Sequence, residues 1–322
     1  MKCALCSSTE GHENLSYQDS KTTKPLLVSM CNHCGLIQQN PIPSKAELCR
    51  YYSHDYRQDY KHSFEPKPKH VYRAGTTAMQ RIHFLTDNNI SSGKLLDIGA
   101  GGGEFVYLSS KQGFNSKGLE PNIGYAEFAN KHYGNQITAG NLDDLQGSYD
   151  VITLFHVLEH LASPIDAFAK LHAALNPNGK LLIEVPWIET NDASPKNIYF
   201  KAHLYYFSTE TLIACASHYF DVVKIDTQSN LKIIFKAKAQ LTETTLPSPQ
   251  SVAALKTRMK NKGWGEYLFI GGGLLKPVKQ LRRILKERQI KDGSPKNILD
   301  NLSLKQSFQS HDNNNLQTKA YE

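Results

Sequence analysis

Short β-rich runs alternate with helical patterns between Lys94 and Ala239, and this alternation constrains the fold more than any other feature. Alternating units of this kind build a parallel sheet through crossover connections, so we expect an α/β domain. Two last runs, Phe220–Asp226 and Leu231–Ala239, predict a closing β-hairpin. The other predicted strands cover 94–98, 116–120, 136–139, 150–155 and 180–185, and the predicted helices cover 103–112, 121–132, 163–175 and 208–218.

The first predicted strand runs into a turn that contains Gly99, Gly101 and Gly103. Glycines let a backbone approach a ligand closely and turn sharply into a helix N-terminus. A dinucleotide fingerprint of the form Gly-x-Gly-x-x-Gly would place Glu104 at its last glycine. Glu104 and Asp97 would repel a pyrophosphate, whereas a cationic sulfonium ligand tolerates carboxylates nearby.

The run from Asp97 to Gly103 resembles motif I of class I S-adenosylmethionine (SAM) methyltransferases. This resemblance covers about 94–239 and implies a seven-stranded Rossmann-like sheet. It implies that Glu120, at the end of the next strand, holds the ribose and that the turn at 140–143 contacts the adenine. The alternative is a structural glycine turn in another α/β domain. The SAM-binding residues so implied are Asp97, Gly99, Gly101, Gly103, Glu120, Asn141, Leu142 and Phe155.

Two cysteine pairs, Cys3-x-x-Cys6 and Cys31-x-x-Cys34, are separated by 24 residues. Each pair places two thiolates on one tight turn, and two such turns complete a tetrahedral zinc site. We expect a small N-terminal zinc ribbon with a β-hairpin between the pairs. A site with four cysteines is closed, so its Zn²⁺ is structural. Free thiols or a redox pair are the alternatives.

Two segments resemble the methyltransferases of nucleotide-sugar and surface-glycan pathways, namely 40–56 and 198–208. The resemblance implies that residues near Tyr51, Tyr52 and Tyr56 fold back over the active site. Packing of the ribbon onto the core by these aromatic rings is the alternative. It also implies a sugar or glycan acceptor, free, nucleotide-linked or lipid-linked, in a carbohydrate or secondary-metabolite pathway.

The fourth strand is followed by His156-x-x-Glu159-His160. In class I methyltransferases this edge meets the sulfonium and the acceptor, so these residues are catalytic candidates, with His156 and His160 as bases. The pattern also matches the inverzincin motif, although that chemistry needs both histidines on one helix. It further resembles the divalent-metal site of ubiquinone-pathway O-methyltransferases, where a Glu replaces His156. Local hydrogen bonds at the start of a helix are the simplest alternative.

His203 is the fourth catalytic candidate, and a purely structural role is its alternative. In the 3-ketosugar C-methyltransferases, which segment 198–208 resembles, a Glu-His pair supports proton abstraction. This chain has Ala202 in place of the acid and no recognisable second α/β domain after 240. We therefore favour O-methylation, with His203 or His156 as the base. The chain lacks the Asn/Asp-Pro-Pro-Tyr/Phe and Pro-Cys motifs of DNA-base methylation.

Positive charge is concentrated in one segment, 253–292, which has 11 Lys or Arg residues against 3 acids. The whole chain carries +7, so the rest of it is close to neutral. A nucleic-acid enzyme more often carries its positive field around the active domain, so nucleic acid is an unfavoured partner. Two alternatives stay open: an RNA-modifying enzyme that binds through the ribbon and the basic segment, and a non-catalytic SAM-binding protein.

An amphipathic basic helix is predicted within this segment, because Leu274, Val278, Leu281 and Leu285 recur at helical spacing with basic residues on the other side. Contact of residues 274–291 with an anionic membrane surface would suit a lipid-linked acceptor. The alternative, which we favour at this point, is packing on the catalytic domain or on a second subunit.

The predicted organisation is a zinc ribbon (1–50), a helical connector that covers the active site (51–92), a SAM-binding domain (93–240), a linker with the basic helical extension (241–302) and a disordered tail (303–322). No signal-peptide pattern is visible, and the longest apolar run has nine residues, where a membrane span needs about 20. We expect a cytoplasmic enzyme, free or peripheral at the inner membrane face.

Cys49 and Cys215 have no partner pattern and are expected to be buried thiols.

Overall fold

The computed structural model describes residues 2–44, 47, 66–134, 136–288, 290 and 293–304. Its strands are β1 (His12–Gln18), β2 (Pro25–Cys31), β3 (Ile37–Gln39), β4 (Gly93–Ile98), β5 (Phe114–Glu120), β6 (Ile137–Ala139), β7 (Tyr149–Phe155), β8 (Leu175–Val185), β9 (Tyr205–Tyr206), β10 (Phe220–Asp226) and β11 (Leu231–Ala237). Its α-helices are α1 (Pro68–Thr86), α2 (Glu104–Lys111), α3 (Ile123–Tyr133), α4 (Pro164–Ala173), α5 (Thr209–Ala216), α6 (Pro249–Asn261), α7 (Lys276–Arg288) and α8 (295–304).

Seven strands form the larger sheet, in the order β10-β11-β8-β7-β4-β5-β6. The pairs β4–β5, β5–β6 and β7–β8 are parallel, whereas β8–β11 and β10–β11 are antiparallel. This mixed sheet confirms the predicted class I methyltransferase fold, including the closing hairpin of β10 and β11. β8 begins at Leu175, five residues before the predicted start at 180.

The chain divides into two compact units. The first combines Met1–His62 with Gln146–Lys279, and the second combines Ser63–Leu145 with Gln280–Glu322. The first unit contains a smaller sheet in the order β1-β2-β3-β9. β1 and β2 form the hairpin predicted between the cysteine pairs, with His12 opposite Cys31. The last strand, β9, comes from the predicted SAM-binding segment and pairs antiparallel with β3.

A helix that the sequence analysis placed within the linker and basic extension completes the core of this smaller sheet. Val252 and Leu255 of α6 are buried against the side chains of β2 and β3, such as Val28 and Ile37. The N-terminus of this helix is stabilised, because the Ser248 hydroxyl caps it by accepting the Ser251 N–H at 3.1 Å and Pro249 occupies the first turn. The N-terminal module therefore draws its core from three distant parts of the chain.

In the second unit, helix α8 packs on α1 and α2. Ile298, Leu299 and Leu302 are buried, and Gly75 of α1 lies directly against Leu299 and Leu302. The Tyr107 hydroxyl of α2 donates to a carboxylate oxygen of Asp300. The tail predicted from 303 begins within this helix, which continues to 304 because its apolar side is covered.

Several predictions concern residues outside the described ranges: Cys49, Tyr51, Tyr52, Tyr56 and the tail from 305 onwards. Cys215 lies within α5 with 1% of its surface exposed, as predicted, and burial raises the pKa of its thiol. None of the described helices is both long enough and apolar enough to cross a membrane.

Candidate functional site

The glycine turn after β4 adopts a backbone conformation that favours glycine. The φ angles of Gly99, Gly101 and Gly103 are +74°, +54° and +83°, all in the left-handed region. A Cβ atom on Gly101 would meet no protein atom within 4 Å, so this backbone borders open space. A ligand can therefore approach the backbone of the turn closely at the start of α2.

Glu120, at the end of β5, braces this turn. One carboxylate oxygen accepts the Gly101 N–H at 2.8 Å, and the other accepts the Asn122 N–H at 2.9 Å. A carboxylate at the end of the strand that follows the glycine turn is the type of group that accepts ribose hydroxyls in nucleoside-binding α/β folds. Asp97 lies buried in β4, one residue before the strand ends.

The predicted adenine turn is a short 3₁₀ helix, Leu142–Asp144, whose N-terminus is closed by a capping box. The Asn141 side chain accepts the Asp143 N–H at 2.7 Å, and the Asp144 carboxylate accepts the Asn141 N–H at 2.9 Å. The Leu142 side chain is buried. The Gly140 N–H donates to the Glu120 carbonyl at 3.0 Å. This backbone hydrogen bond joins the predicted adenine turn to Glu120, the residue predicted to hold the ribose.

These predicted SAM-binding residues, except Phe155, belong to the second unit. Phe155 ends β7 in the first unit, and its side chain is buried. The next residue, His156, has a φ of +57°, which is uncommon for a residue other than glycine. Backbone strain of this kind concentrates at functional sites.

His156 lies between two carboxylates. Its Nδ1 is 3.4 Å from Oε1 of Glu159, and its Nε2 is 3.2 Å from Oε1 of Glu184. The Asn230 side-chain amide donates to the same Glu184 oxygen at 2.8 Å. Glu184 and Asn230 are absent from the sequence-based site, because nothing near them in sequence distinguishes them from ordinary strand and turn residues.

The charges in this cluster follow from its geometry. Burial by itself favours neutral His156, but Glu159 and Glu184 outweigh it and raise the pKa of His156 to about 9. Burial likewise favours protonated Glu159, but His156, whose Nδ1 is 3.4 Å away, and the charges of the nearby histidines lower the pKa of that carboxyl. His156 and Glu159 are therefore both charged at neutral pH, and both His156 nitrogens face carboxylates.

His160 and His203 also lie close to Glu159. His160 Nδ1 is 2.8 Å from the Ala202 carbonyl oxygen, so it donates a proton there, and His160 Nε2 is 3.9 Å from Glu159 Oε1. The two imidazole rings meet edge to face with centroids 4.9 Å apart. Burial, and then the charge of His160, lower the pKa of His203 to about 4, so His203 is neutral at physiological pH.

The carboxylate of Glu159 is completely buried, and neither of its oxygens accepts a hydrogen bond from any residue in the described ranges. A buried charge without such partners indicates a functional group. One ligand atom each from Glu159, His160 and His203 lies within 4.8 Å of the others, so these three residues could also hold a divalent cation. His156 is outside this group of three.

The loop that carries His203 is held by the N-terminal sheet. The Gln39 side-chain amide donates to the carbonyl oxygens of Lys201 at 2.7 Å and His203 at 2.8 Å. The Asp19 carboxylate accepts the Lys201 N–H at 2.7 Å, and the Leu204 N–H donates to the Glu159 carbonyl at 2.8 Å. The sequence gives no local signal for the roles of Gln39 and Asp19, because their partners are more than 160 residues away.

The four cysteines of the two pairs converge. The Sγ atoms of Cys3 and Cys34 are 3.5 Å apart, those of Cys6 and Cys31 are 3.6 Å apart, and all four lie within 4.8 Å of one another. Four thiolates around one zinc at about 2.3 Å would be about 3.8 Å apart, so this donor set fits a tetrahedral site. Gly35, with a φ of +75°, follows Cys34 in the tight turn that carries the second cysteine pair.

Comparison with known proteins gives one family and a set of partial relatives. A family model described as a methyltransferase domain matches residues 70–237. The mitochondrial ubiquinone biosynthesis O-methyltransferase of Schizosaccharomyces pombe is 30% identical over 118 residues, which are 32% of this chain and 43% of that protein. The corresponding enzyme of Histophilus somni is 29% identical over 126 residues, 35% of this chain and 52% of that protein. The chain thus spans about half the length of these relatives.

Two solved structures are similar at low sequence identity. TehB from Haemophilus influenzae has a TM-score of 0.41 at 13% identity, over 57% of this chain and 66% of that one. Magnesium protoporphyrin IX methyltransferase from Synechocystis PCC 6803, with bound SAM, has a TM-score of 0.40 at 16% identity, over 60% of this chain and 96% of that one.

Proposed function

The chain belongs to the methyltransferase-domain family, whose model matches residues 70–237, and on that premise we propose that it methylates a hydroxyl oxygen with SAM as donor. The cofactor assignment is supported by the open backbone at Gly101 and by the position of Glu120 at the end of β5, where its carboxylate accepts the Gly101 N–H at 2.8 Å. When bound, SAM supplies an electrophilic methyl group on a sulfonium centre. The eight residues proposed to hold it are Asp97, Gly99, Gly101, Gly103, Glu120, Asn141, Leu142 and Phe155.

The buried carboxylate of Glu159 is the observation that carries the acceptor chemistry. It is charged, it has no hydrogen-bond donor in the described part of the chain, and it is surrounded by His156, His160 and His203. Such a group stabilises positive charge that develops on a neighbouring imidazole during proton transfer. His203 has a lowered pKa and is neutral, so it is the proposed base.

In this mechanism a ring nitrogen of His203 would take the proton of the acceptor hydroxyl, which would make that oxygen the nucleophile. SAM held by the proposed cofactor residues would supply the methyl group and would leave as the thioether. Glu159 stabilises the imidazolium that forms on His203, and His160 orients the cluster through its bond to the Ala202 carbonyl. His156 keeps Glu159 ionised, because it is a cation between Glu159 and Glu184.

The acceptor we propose is a sugar or glycan hydroxyl. Support comes from the resemblance of segments 40–56 and 198–208 to sugar methyltransferases. The acid that those C-methylating enzymes carry beside the histidine is Ala202 here, and Glu159 supplies a carboxylate close to His203 from another segment. A phenolic hydroxyl of a quinone precursor is the second candidate, because the relatives are named ubiquinone biosynthesis O-methyltransferases.

Transfer of labelled methyl groups from SAM into a host-cell extract tests these proposals. The extract is fractionated into nucleotide sugars, lipid-linked glycans, quinone lipids and RNA. Label in a sugar fraction supports the first acceptor, and label among the quinone lipids supports the second. Label confined to RNA would overturn both. Binding of SAM without transfer in any fraction would favour a non-catalytic SAM-binding protein or an acceptor that the extract lacks.

We also propose that the four-cysteine cluster holds a structural zinc ion, which is supported by the thiol spacing. The module then stabilises the sheet that supports Gln39 and the His203 loop. Metal analysis of the purified protein should give one zinc per chain, and Cys6→Ser should lower that content. Cys215→Ala is the matched control, because Cys215 is a buried thiol outside the cluster. Full zinc content in the Cys6→Ser variant would contradict the proposal.

A further inference from the structure

A continuous stretch from Trp264 to Leu285 exposes an unusual number of large apolar side chains. We call it the apolar surface segment. Its most exposed members are Phe269 at 76% and Ile270 at 71%, within the turn Glu266–Ile270. No residue of α7 is buried. The other exposed apolar side chains of the segment are Trp264, Leu274, Leu275, Val278, Leu281, Ile284 and Leu285.

Helix α7 is attached to the protein by its polar side. Lys276 donates to the Asp192 carbonyl, and its ammonium group lies 4.8 Å from the centre of the Tyr267 ring. Near the other end of the helix, Glu287 forms a two-point ion pair with Arg73, with one bond of 2.6 Å.

At 100° per residue, Lys276 and Glu287 lie on the side of the helix opposite to Val278 and Leu285. A helix that packs on its own core buries its apolar side and exposes its polar side. Here the polar side makes the contacts, and Val278 and Leu285 remain 49% and 51% exposed. The favoured sequence-based alternative, that this stripe packs on the catalytic domain, therefore does not hold for the described residues.

The charges of α7 decide which kind of surface would cover this face. The helix has one acid, Glu287, which is already paired with Arg73, against six Lys or Arg residues. Two copies of the chain that met through this face would bring two such helices together, and like charges repel. An anionic surface with an apolar interior matches both the basic residues and the apolar row.

We propose that the apolar surface segment binds an anionic membrane surface. The apolar row enters the boundary between head groups and acyl chains, and Trp264 takes the interfacial position that tryptophan prefers. Lys279, Arg282 and Lys286 lie beside the row on α7 and contact lipid phosphates. This binding needs neither SAM nor an acceptor, so it stands or falls independently of the proposed function. It would bring the enzyme to a lipid-borne acceptor.

Flotation with lipid vesicles, in the absence of SAM and acceptor, tests the proposal. The full chain should bind vesicles of phosphatidylcholine with phosphatidylglycerol and bind phosphatidylcholine alone much more weakly. The double variant Leu281→Gln/Leu285→Gln should lose about tenfold or more in partitioning, because two apolar side chains no longer enter the bilayer. The charge reversals Lys279→Glu and Arg282→Glu should each cost at least about fivefold, and high salt should weaken binding further.

Matched controls come from exposed residues elsewhere. Leu27→Gln removes a leucine that is 53% exposed on β2, and Lys224→Glu reverses an exposed charge on β10. Both should bind like the unmodified chain. Absence of binding to the anionic vesicles, or equal losses in the controls, would overturn the proposal. So would a lipid-free dimer that Leu281→Gln/Leu285→Gln dissociates, because a second copy would then cover this face.

Discussion

The proposed cofactor region and the proposed acceptor region are built in opposite ways. Apart from Phe155, the cofactor region lies between residues 97 and 144, and its geometry is mostly backbone: left-handed glycines, a turn held by Glu120 and a capped 3₁₀ helix. The acceptor region is a cluster of partly exposed histidines around the buried Glu159, gathered from several segments, and it depends on Gln39 from the N-terminal sheet. Conformational rules that act locally produce the first, whereas long-range packing and charge produce the second.

The largest expected effect separates chemistry from cofactor binding. Glu159→Gln keeps the shape of the side chain but removes the charge that stabilises a protonated His203, so kcat should fall by about 100-fold or more. SAM affinity, measured by calorimetry, should stay within about twofold because the residue is outside the glycine-turn region. Glu210→Gln, a neutralised exposed glutamate on α5, is the control. Equal losses of SAM affinity and kcat would mean that the two regions are not separable.

At the glycine turn we expect the opposite result, in which a substitution weakens SAM binding. Gly101→Asp fills the open space in front of the backbone, so SAM affinity should fall by about 100-fold. Gly134→Asp is a matched control, since Gly134 also has a positive φ, +69°, and no atom within 4 Å of an added Cβ. Both variants should lose similar stability, about 1 kcal/mol, from the left-handed conformation. Normal SAM affinity in Gly101→Asp would contradict the assignment of the glycine turn as the SAM-binding site.

A smaller effect tests whether the N-terminal sheet positions His203. Gln39→Met keeps the side-chain volume but leaves the carbonyls of Lys201 and His203 without their donor, which should cost about 1–3 kcal/mol in stability. We expect kcat to fall about tenfold, with unchanged SAM affinity, because His203 loses its position. Gln228→Met, in the exposed turn between β10 and β11, is the control. Loss of stability with full kcat would show that Gln39 only supports folding.

The smallest expected effect is a pH dependence that the acceptor region has and the cofactor region lacks. Because the folded pKa of His156, about 9, is above the unfolded value, its stabilising contribution is complete below about pH 6.5 and is lost as the pH rises through 9. The stability difference between the unmodified chain and His156→Gln should therefore shrink by about 1–2 kcal/mol between these limits, allowing for solvent screening. Denaturant titrations at pH 6.5 and pH 10 measure it. A constant difference would contradict the raised pKa.

Sequence patterns were sufficient wherever a local rule determines structure. Phe220–Asp226 has the strand bounds that were predicted, and the predicted sharp turn at Gly99–Gly103 is formed by three glycines in left-handed conformations. The four cysteines converge as their spacing indicates, because each pair lies on one tight turn and a hairpin joins the turns. Turns, caps and alternation depend on neighbouring residues, which the sequence lists directly.

Only the tertiary structure determined the rest. Distances between segments far apart in the chain determine that His203 is neutral and His156 is charged. They also determine that Glu159 accepts no hydrogen bond from the residues that the structure describes. The same holds for α6 in the core of the smaller sheet and for the exposed apolar side of α7, for which the sequence left membrane contact and packing on protein both open. A helical pattern shows that one face is apolar, but the free energy of packing and of ion pairs decides what that face contacts.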